Sequence, residues 1–170
     1  MSELTFAKMR THAGSFVSAH AEATEHNEPV ALRLTPFVDD RGYSLMNLFV
    51  GVLGVGRGGG GQSNVSIQHP GVIKAWHRHK KQTDFWVCLH GHLKVGVHRD
   101  DGTAWQAVIG ERSPVCVIIP PTLWHGAATV GASPATLLYY VTHEFDAANP
   151  DEERRAFDEP AGFPWGVENK

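Results

Sequence analysis

The sequence has few cysteines, no surplus of positive charge and no long apolar run. Only two cysteines occur among its 170 residues, Cys88 and Cys116, and both lie inside short apolar segments. Buried free thiols are expected, because cysteine is among the most frequently buried residues and disulfides are rare in a reducing compartment.

The charge balance and the hydropathy pattern exclude two further classes of partner. Fifteen basic residues against eighteen acidic residues give a formal charge of −3. Nucleic-acid and anionic-membrane surfaces need a strongly basic patch, so neither partner is expected. No apolar stretch approaches the roughly 18 residues of a membrane span. Residues 1–14 also lack the hydrophobic region of a secretory signal, so a cytoplasmic protein is expected.

Short segments rich in β-branched and aromatic residues follow one another from residue 29 onward, separated by Gly, Pro, Asp and Asn. This spacing predicts an all-β barrel or sandwich, and a jelly roll is favoured because its cavity would let inward-pointing histidines meet. The expected organisation is an N-terminal segment, 1–28, and one β domain, 29–170. The N-terminal segment is expected to form a short helix or to pack on a partner subunit. Strands are predicted at 30–36, 43–50, 62–68, 72–78, 84–90, 93–98, 104–109, 115–119, 124–130 and 136–143.

Two other segments carry local signals. Residues 149–155 read Asn-Pro-Asp-Glu-Glu-Arg-Arg, with a capping Asn, a Pro at the first position and acidic residues before basic ones. This order predicts a short C-terminal helix at 150–157. The run 56–61, Gly-Arg-Gly-Gly-Gly-Gly, lacks the Lys-Ser/Thr pair and the following helix of a phosphate-binding loop. It is expected to be a flexible connection between strands.

The most informative feature is a set of three histidines and one carboxylate. His77 and His79 project to the same side of an extended strand, and a turn with a returning strand can bring Asp84 beside them. His125 lies in a later apolar segment. Such a cluster either holds a divalent metal through nitrogen and oxygen ligands or moves protons on and off a substrate without a metal. The residue types alone leave both alternatives open.

A wider set of motifs resembles a known family. The spacing of the histidines and Asp84 between Gly71 and Gly91 is similar to the first cupin motif, and 120–125 resembles the second. The ordered motifs of the dTDP-4-dehydrorhamnose 3,5-epimerase family have counterparts in Asp39-Asp-Arg41-Gly42, Gln62-x-Asn64-x-Ser66, Gly71-Val72-x-Lys74-x-x-His77, Ile119-Pro120-x5-Gly126, and Leu138-Tyr139 followed by Pro150-x-Glu152. The resemblance implies a cupin jelly-roll barrel, usually a homodimer, that binds a dTDP-linked 4-keto-6-deoxy sugar and needs no cofactor.

The resemblance also implies roles for individual residues. The catalytic base of the family falls on His77, a tyrosine near the reacting sugar falls on Tyr139, and Lys74 stands where the family carries a diphosphate-binding Arg. Phe145 stands where the family carries a second tyrosine. Positions that line the nucleotide and sugar pocket fall on Arg41, Gln62, Asn64 and His125.

One segment resembles a related enzyme class. Residues 76–82, Trp-His-Arg-His-Lys-Lys-Gln, are similar to the His-x-His-Lys segment of the dTDP-sugar 3,4-ketoisomerases, which are cupins with paired catalytic histidines. The leading hypothesis is an isomerase or epimerase in which His77 removes a proton next to a ketone. His79 or Tyr139 then returns a proton, and Asp84 orients one imidazole. The alternatives are a cupin enzyme that binds a divalent metal and a non-catalytic sugar-binding module. The metal ligands would be His77, His79, Asp84 and His125.

Overall fold

The computed structural model describes residues 3–54 and 60–167, so most of the glycine run 56–61 lies outside the described residues. Within that part of the chain, strands and one helix alternate with short turns. The elements are β1 (Thr5–Phe6), β2 (Arg10–His12), α1 (Phe16–His26), β3 (Val30–Arg33), β4 (Phe37–Asp39), β5 (Gly42–Ser44), β6 (Gln62–Gln68), β7 (Ile73–Arg78), β8 (Asp84–His90), β9 (His92–His98), β10 (Thr103–Gly110), β11 (Val115–Ile119), β12 (Trp124–Val130), β13 (Ala135–Val141) and β14 (Glu153–Arg154).

Two six-stranded sheets enclose the main core. The first has the order β1-β10-β9-β12-β7-β14 and the second the order β2-β3-β11-β8-β13-β6. Leu93 and Val95 of the first sheet share a buried apolar cluster with Val117 and Leu137 of the second. Burying this apolar surface is the main favourable contribution to folding. The predicted all-β jelly roll is confirmed.

The N-terminal segment joins both sheets of this barrel. β1 pairs with β10, β2 pairs with β3, and α1 packs its buried Phe16, Ala19 and Ala23 toward β3 and β11. Ser15 begins the helix with a capping box, in which its side chain accepts from the Ser18 amide and Ser18 accepts from the Ser15 amide. Of the two alternatives left open for this segment, the structure shows the helix, while packing on a partner stays a prediction. No helix in the described ranges is long and apolar enough to cross a bilayer.

Most predicted strands agree with the structure to within two residues, but the strand predicted at 43–50 is wrong beyond Ser44. Asn47 and Phe49 have φ values of 57° and 62°, so the backbone turns there instead of extending. The chain also leaves the barrel earlier than predicted, after Arg33. β4 and β5 then form a separate two-stranded hairpin.

The predicted helix at 150–157 is wrong. Glu153 and Arg154 form β14, which pairs antiparallel with β7 at the edge of the first sheet. Trp76 and Arg155 exchange two backbone hydrogen bonds, each of 3.0 Å. A helix of this length is marginal by itself, whereas pairing with β7 satisfies backbone groups of both segments. The local capping signals are overridden by a partner distant in sequence.

The two cysteines are free and buried, as predicted. Cys88 belongs to the main core. Cys116 lies in a second buried apolar cluster, which includes Phe16 and Ala19 of α1. Burial raises the pKa of the Cys88 thiol to about 11 and also raises the pKa of Cys116. Both thiols therefore stay protonated near neutral pH and act as core residues.

Candidate active site

Neighbouring strands bring the histidines and Asp84 together inside the barrel. His77 on β7 is directly opposite His125 on β12, and their ring centroids are 4.2 Å apart. His79 follows the end of β7, and its ring centroid is 5.5 Å from those of both other histidines. Asp84 opens β8 in the facing sheet. One possible ligand atom from each of the four residues lies within 4.8 Å of all the others, so the predicted convergence is confirmed. This group is called the histidine–aspartate cluster below.

Backbone carbonyls fix the ring tautomers of two of these histidines. Nδ1 of His125 lies 2.9 Å from the Leu123 carbonyl, and Nδ1 of His79 contacts the Asp151 carbonyl. A carbonyl oxygen only accepts, so both Nδ1 atoms carry the proton. In each neutral ring Nε2 then keeps its lone pair. Nε2 of His125 is buried without a hydrogen-bond partner among the described residues and lies 3.6 Å from Oδ2 of Asp84.

Asp84 brings a negative charge into the cluster. Its side chain is almost fully buried, and its two oxygens accept hydrogen bonds from Gln82 Nε2 at 2.9 Å and Trp86 Nε1 at 3.0 Å. Burial alone raises the pKa of the Asp84 carboxyl, but the interaction with His125 and the charges of His79 and His77 outweigh it. The pKa is thereby held well below its usual range, so Asp84 is ionised at neutral pH.

His77 is the cluster histidine with the strongly lowered pKa. Burial is the largest cause, followed by the charge of the neighbouring His125. Its imidazole is therefore neutral at pH 7 and can accept a proton or coordinate a metal. This state is compatible with both alternatives that the sequence left open.

A cavity of about 840 Å³ lies over the cluster, a volume typical of small-molecule sites. Lys74, Gln62 and Asn64, which the family resemblance predicts as binding residues, all line it. Lys74 donates to the Ser66 hydroxyl at 2.8 Å, and Gln62 donates to Asn64 at 3.3 Å. Gln62 and Asn64 lie on β6 of the second sheet, and Lys74 reaches across from β7 of the first sheet.

Tyr139 on β13 lies on the wall formed by the second sheet. Burial raises the pKa of its phenol, and the carboxylates of Asp84 and Glu152 raise it further. The hydroxyl therefore keeps its proton at neutral pH. Phe145 also lines the cavity, with 63% of its surface exposed.

Arg41 lies elsewhere. It sits on the β4–β5 hairpin with 84% of its side chain exposed, pairs with Asp39 and is not among the residues that line the cavity. Within one described chain, Arg41 is therefore separate from Lys74, Gln62 and Asn64, and its role stays a prediction. His125 belongs to the cluster but is likewise not among the residues that line the cavity.

Four site residues were missed by the sequence analysis. Gln82 lies two residues before Asp84, and Trp86 lies two residues after it. The two-residue period of a strand could therefore have identified both as neighbours of Asp84 on the same face. Asp151 and Glu152 approach from β14 and the segment before it, which carried helix signals. The family motifs include Glu152, but no local pattern places either residue beside the cluster.

Comparisons with known proteins agree with this architecture. The family model described as the polysaccharide biosynthesis C-terminal domain matches residues 39–153. Spore coat polysaccharide biosynthesis protein SpsL of Bacillus subtilis is 37% identical over 115 residues, which are 64% of this chain and 76% of that protein. Probable low-salt glycan biosynthesis epimerase Agl13 of Haloferax volcanii is 39% identical over 103 residues, 56% of this chain and 66% of that protein.

Solved structures show the same fold. A dTDP sugar isomerase from Desulfovibrio desulfuricans G20 has a TM-score of 0.71 at 22% identity, covering 82% of this chain and 92% of that chain. A dTDP-4-dehydrorhamnose 3,5-epimerase from Elizabethkingia anophelis NUHP1 has a TM-score of 0.65 at 19% identity, covering 82% of each. The predicted likeness to the cupin fold of these epimerases and isomerases is confirmed.

Proposed function

The chain belongs to the polysaccharide biosynthesis C-terminal domain family, and from this premise we propose that it is an epimerase or isomerase of a nucleotide-linked keto sugar. The observation that carries the proposal is the histidine–aspartate cluster beneath a cavity with Lys74 and Tyr139 on its walls. The proposed substrate is a 4-keto-6-deoxy sugar linked to dTDP or a similar nucleotide diphosphate. The description of Agl13 as a probable glycan biosynthesis epimerase supports the reaction class, and the dTDP sugar isomerase and dTDP-4-dehydrorhamnose 3,5-epimerase of similar fold support the substrate class.

Proton transfer next to the ketone is the proposed chemistry. A neutral imidazole can remove a proton from carbon beside a carbonyl when the developing enolate oxygen is stabilised. His77 is the proposed base because its lowered pKa leaves it unprotonated and it lines the cavity. Tyr139 is the proposed acid because it keeps its proton. His79 is less suited, since its Nδ1 proton is donated to the Asp151 carbonyl.

Lys74 is proposed to bind the diphosphate, with Gln62 and Asn64 contacting the sugar. A cation is well suited to a diphosphate, and the Ser66 hydroxyl that Lys74 contacts leaves its charge uncompensated. The backbone amide of Phe145 donates to Oε1 of Gln62 at 2.9 Å, which holds the Gln62 side chain in place. These contacts would hold the reacting sugar over the cluster.

A divalent-metal-dependent enzyme is a second candidate, favoured by the orphaned Nε2 of His125. His79 and His125 each direct Nδ1–H to a carbonyl, the arrangement that orients metal-binding imidazoles. Three histidine nitrogens and the Asp84 carboxylate suit Zn, Fe, Mn or Ni, so the four residues fit such an ion. When bound, the ion would supply Lewis-acid stabilisation of charge on a substrate oxygen. His77 would then serve as a ligand, and Tyr139 would remain the proton donor.

Solvent exchange tests the function. A dTDP-linked 4-keto-6-deoxyhexose is incubated with the protein in D₂O, and deuterium at the carbons flanking the ketone is followed by NMR. His77→Asn should abolish exchange under either mechanism. His90→Asn, the same substitution at a largely exposed histidine outside the cavity, should leave it intact. Exchange that persists in His77→Asn contradicts the assignment.

Metal removal then separates the two mechanisms. Protein purified without added metal is analysed for its elemental content and assayed before and after EDTA treatment. Exchange that survives in metal-free protein supports His77 as a free base. Stoichiometric metal, with exchange lost on chelation and restored by one divalent ion, supports the metal-dependent enzyme.

A homodimer is proposed because the β4–β5 hairpin exposes apolar side chains. Phe37, Val38 and Tyr43 are 61%, 74% and 51% exposed. Val38 and Tyr43 are cross-strand partners on one face of the hairpin, and contiguous exposed apolar surface is typical of interaction sites. In a homodimer, the hairpin could also carry Arg41 to the cavity of the second copy, which would reconcile its exposed position with its proposed role in substrate binding.

A further inference from the structure

His79 is positioned differently from the other cluster residues. His77 and His125 lie within paired strands, whereas β7 ends at Arg78 and His79 follows it. The carbonyl of His79 accepts from the Thr122 amide at 2.6 Å, and this bond fixes one backbone group. The imidazole and the following turn need further support, which comes from a segment about seventy residues later in the chain.

Asp151 supplies that support through three hydrogen bonds. Its backbone carbonyl accepts from Nδ1 of His79. Its carboxylate oxygens accept from the amides of Lys80 at 3.0 Å and Lys81 at 2.9 Å, the two residues that follow His79. One residue therefore holds both the imidazole and the turn that carries it.

β14 brings the segment that carries Asp151 beside the end of β7. Glu153 and Arg154 pair with Arg78 and His77, so the chain just before β14 must pass the end of β7, where His79 lies. If the carboxylate of Asp151 were lost, the turn after His79 and the segment before β14 would no longer be tied together. The Asp151 carbonyl, which accepts the hydrogen bond from Nδ1 of His79, would then no longer be aligned with the imidazole.

We propose that Asp151 is a positioning residue that holds His79 as the Nδ1–H tautomer and directs its Nε2 lone pair into the histidine–aspartate cluster. Hydrogen bonds to the second nitrogen select the tautomer of an imidazole, and partners of this kind affect activity about 10- to 100-fold. The catalytic consequence rests on the proposed function, but the tautomer can be measured without any substrate.

The test uses EDTA-treated, ¹⁵N-labelled protein and long-range ¹H–¹⁵N NMR of the imidazole rings, with His79→Asn to assign the His79 signals. Asp151→Ala should convert the single Nδ1–H form of His79 into a mixture that includes Nε2–H. Asp151→Asn, which keeps one oxygen acceptor, should restore most of the wild-type form. Asp101→Ala is the matched control, because Asp101 also caps a turn amide, that of Thr103, but lies outside the cavity.

In the exchange assay, Asp151→Ala should lower kcat about 10- to 100-fold while KM changes less than about threefold. A folded Asp151→Ala protein with an unchanged His79 tautomer overturns the proposal. If Asp151→Ala does not fold, Asp151→Val, which also lacks an acceptor, provides the same test. In either case, an Nε2–H form of His79 in the wild-type protein overturns the proposal. If the wild-type protein shows no exchange but Asp151→Ala shifts the tautomer, the proposed function fails and the positioning role stands.

Discussion

Replacing Asp84 with Asn should destabilise the protein, because the site is built around an ionised carboxylate. Asp84 accepts one hydrogen bond on each oxygen, from Gln82 and Trp86. Asparagine keeps one acceptor and places an NH₂ group against the other donor. A hydrogen bond to a charged group contributes about 1.5–3 kcal/mol, and relief of the buried charge offsets part of its loss. We expect the free energy of unfolding to fall by about 1–2 kcal/mol at pH 7.

The pH dependence of this difference has a definite sign. The folded-state pKa of Asp84 is held below its unfolded value of roughly 3.9, so the ionised group stabilises the fold above that pH. The contribution is lost as the pH falls from that value through the folded-state pKa. The stability difference between wild type and Asp84→Asn should therefore narrow below about pH 4.

Urea denaturation of EDTA-treated protein measures this difference, with an unchanged slope m showing that both proteins unfold from comparable states. Asp40→Asn, the same substitution at an exposed position outside the cavity, is the control and should have little effect. An Asp84→Asn protein that is as stable as wild type at pH 7 would refute the reasoning, because the neutral side chain would then be accepted as well as the ionised one.

Four other perturbations have defined outcomes. Lys74→Ala should weaken dTDP binding about tenfold, measured by calorimetry, whereas Lys74→Arg should retain most of the affinity. Equal affinity in wild type and both variants would contradict a contact between Lys74 and the diphosphate. Tyr139→Phe should lower the exchange rate about 10²- to 10⁴-fold while leaving dTDP affinity unchanged, and a wild-type rate would remove Tyr139 as the acid. Val38→Lys should convert a dimer into a monomer in light scattering, whereas a wild-type protein that is already monomeric contradicts the proposed interface. If His77 is a free base, exchange should persist well below pH 6.5, roughly the ordinary pKa of histidine, because burial lowers the pKa of His77. An exchange rate that halves near pH 6.5 would contradict this.

The strands and the cluster could be predicted because their signals are local. A strand alternates its side chains with a period of two, so His77 and His79 were expected on one side before any tertiary contact was known. Turn residues fixed where most strands end, and Asp84 follows His79 closely enough for one turn to return it. His125 was identified by a motif instead of by periodicity, and the ladder pairing with His77 confirms its position.

The remaining features depend on contacts between distant parts of the chain. The segment around Asp151 carried consistent helix signals, but capping and dipole effects contribute only about 1 kcal/mol each. Pairing with β7 satisfies several backbone groups at once and prevails. Arg41 is a different case. Its motif predicted that it lies near a ligand, but a motif does not specify whether that ligand is bound in the cavity of the same chain or of another copy.

The outer face of β7 explains why His77 can be held firmly in a cavity wall. Its neighbours point outward, where Trp76 packs against Phe163 at 4.9 Å between ring centroids and Arg78 bridges Asp100 and Glu153. Because alternate side chains of a strand face opposite sides, fixing both neighbours outward fixes His77 inward. His79 lies beyond the paired part of the strand and has no such constraint from its own neighbours. Within the cluster, the orientation of His79 is therefore the one that depends most on a single remote residue, Asp151.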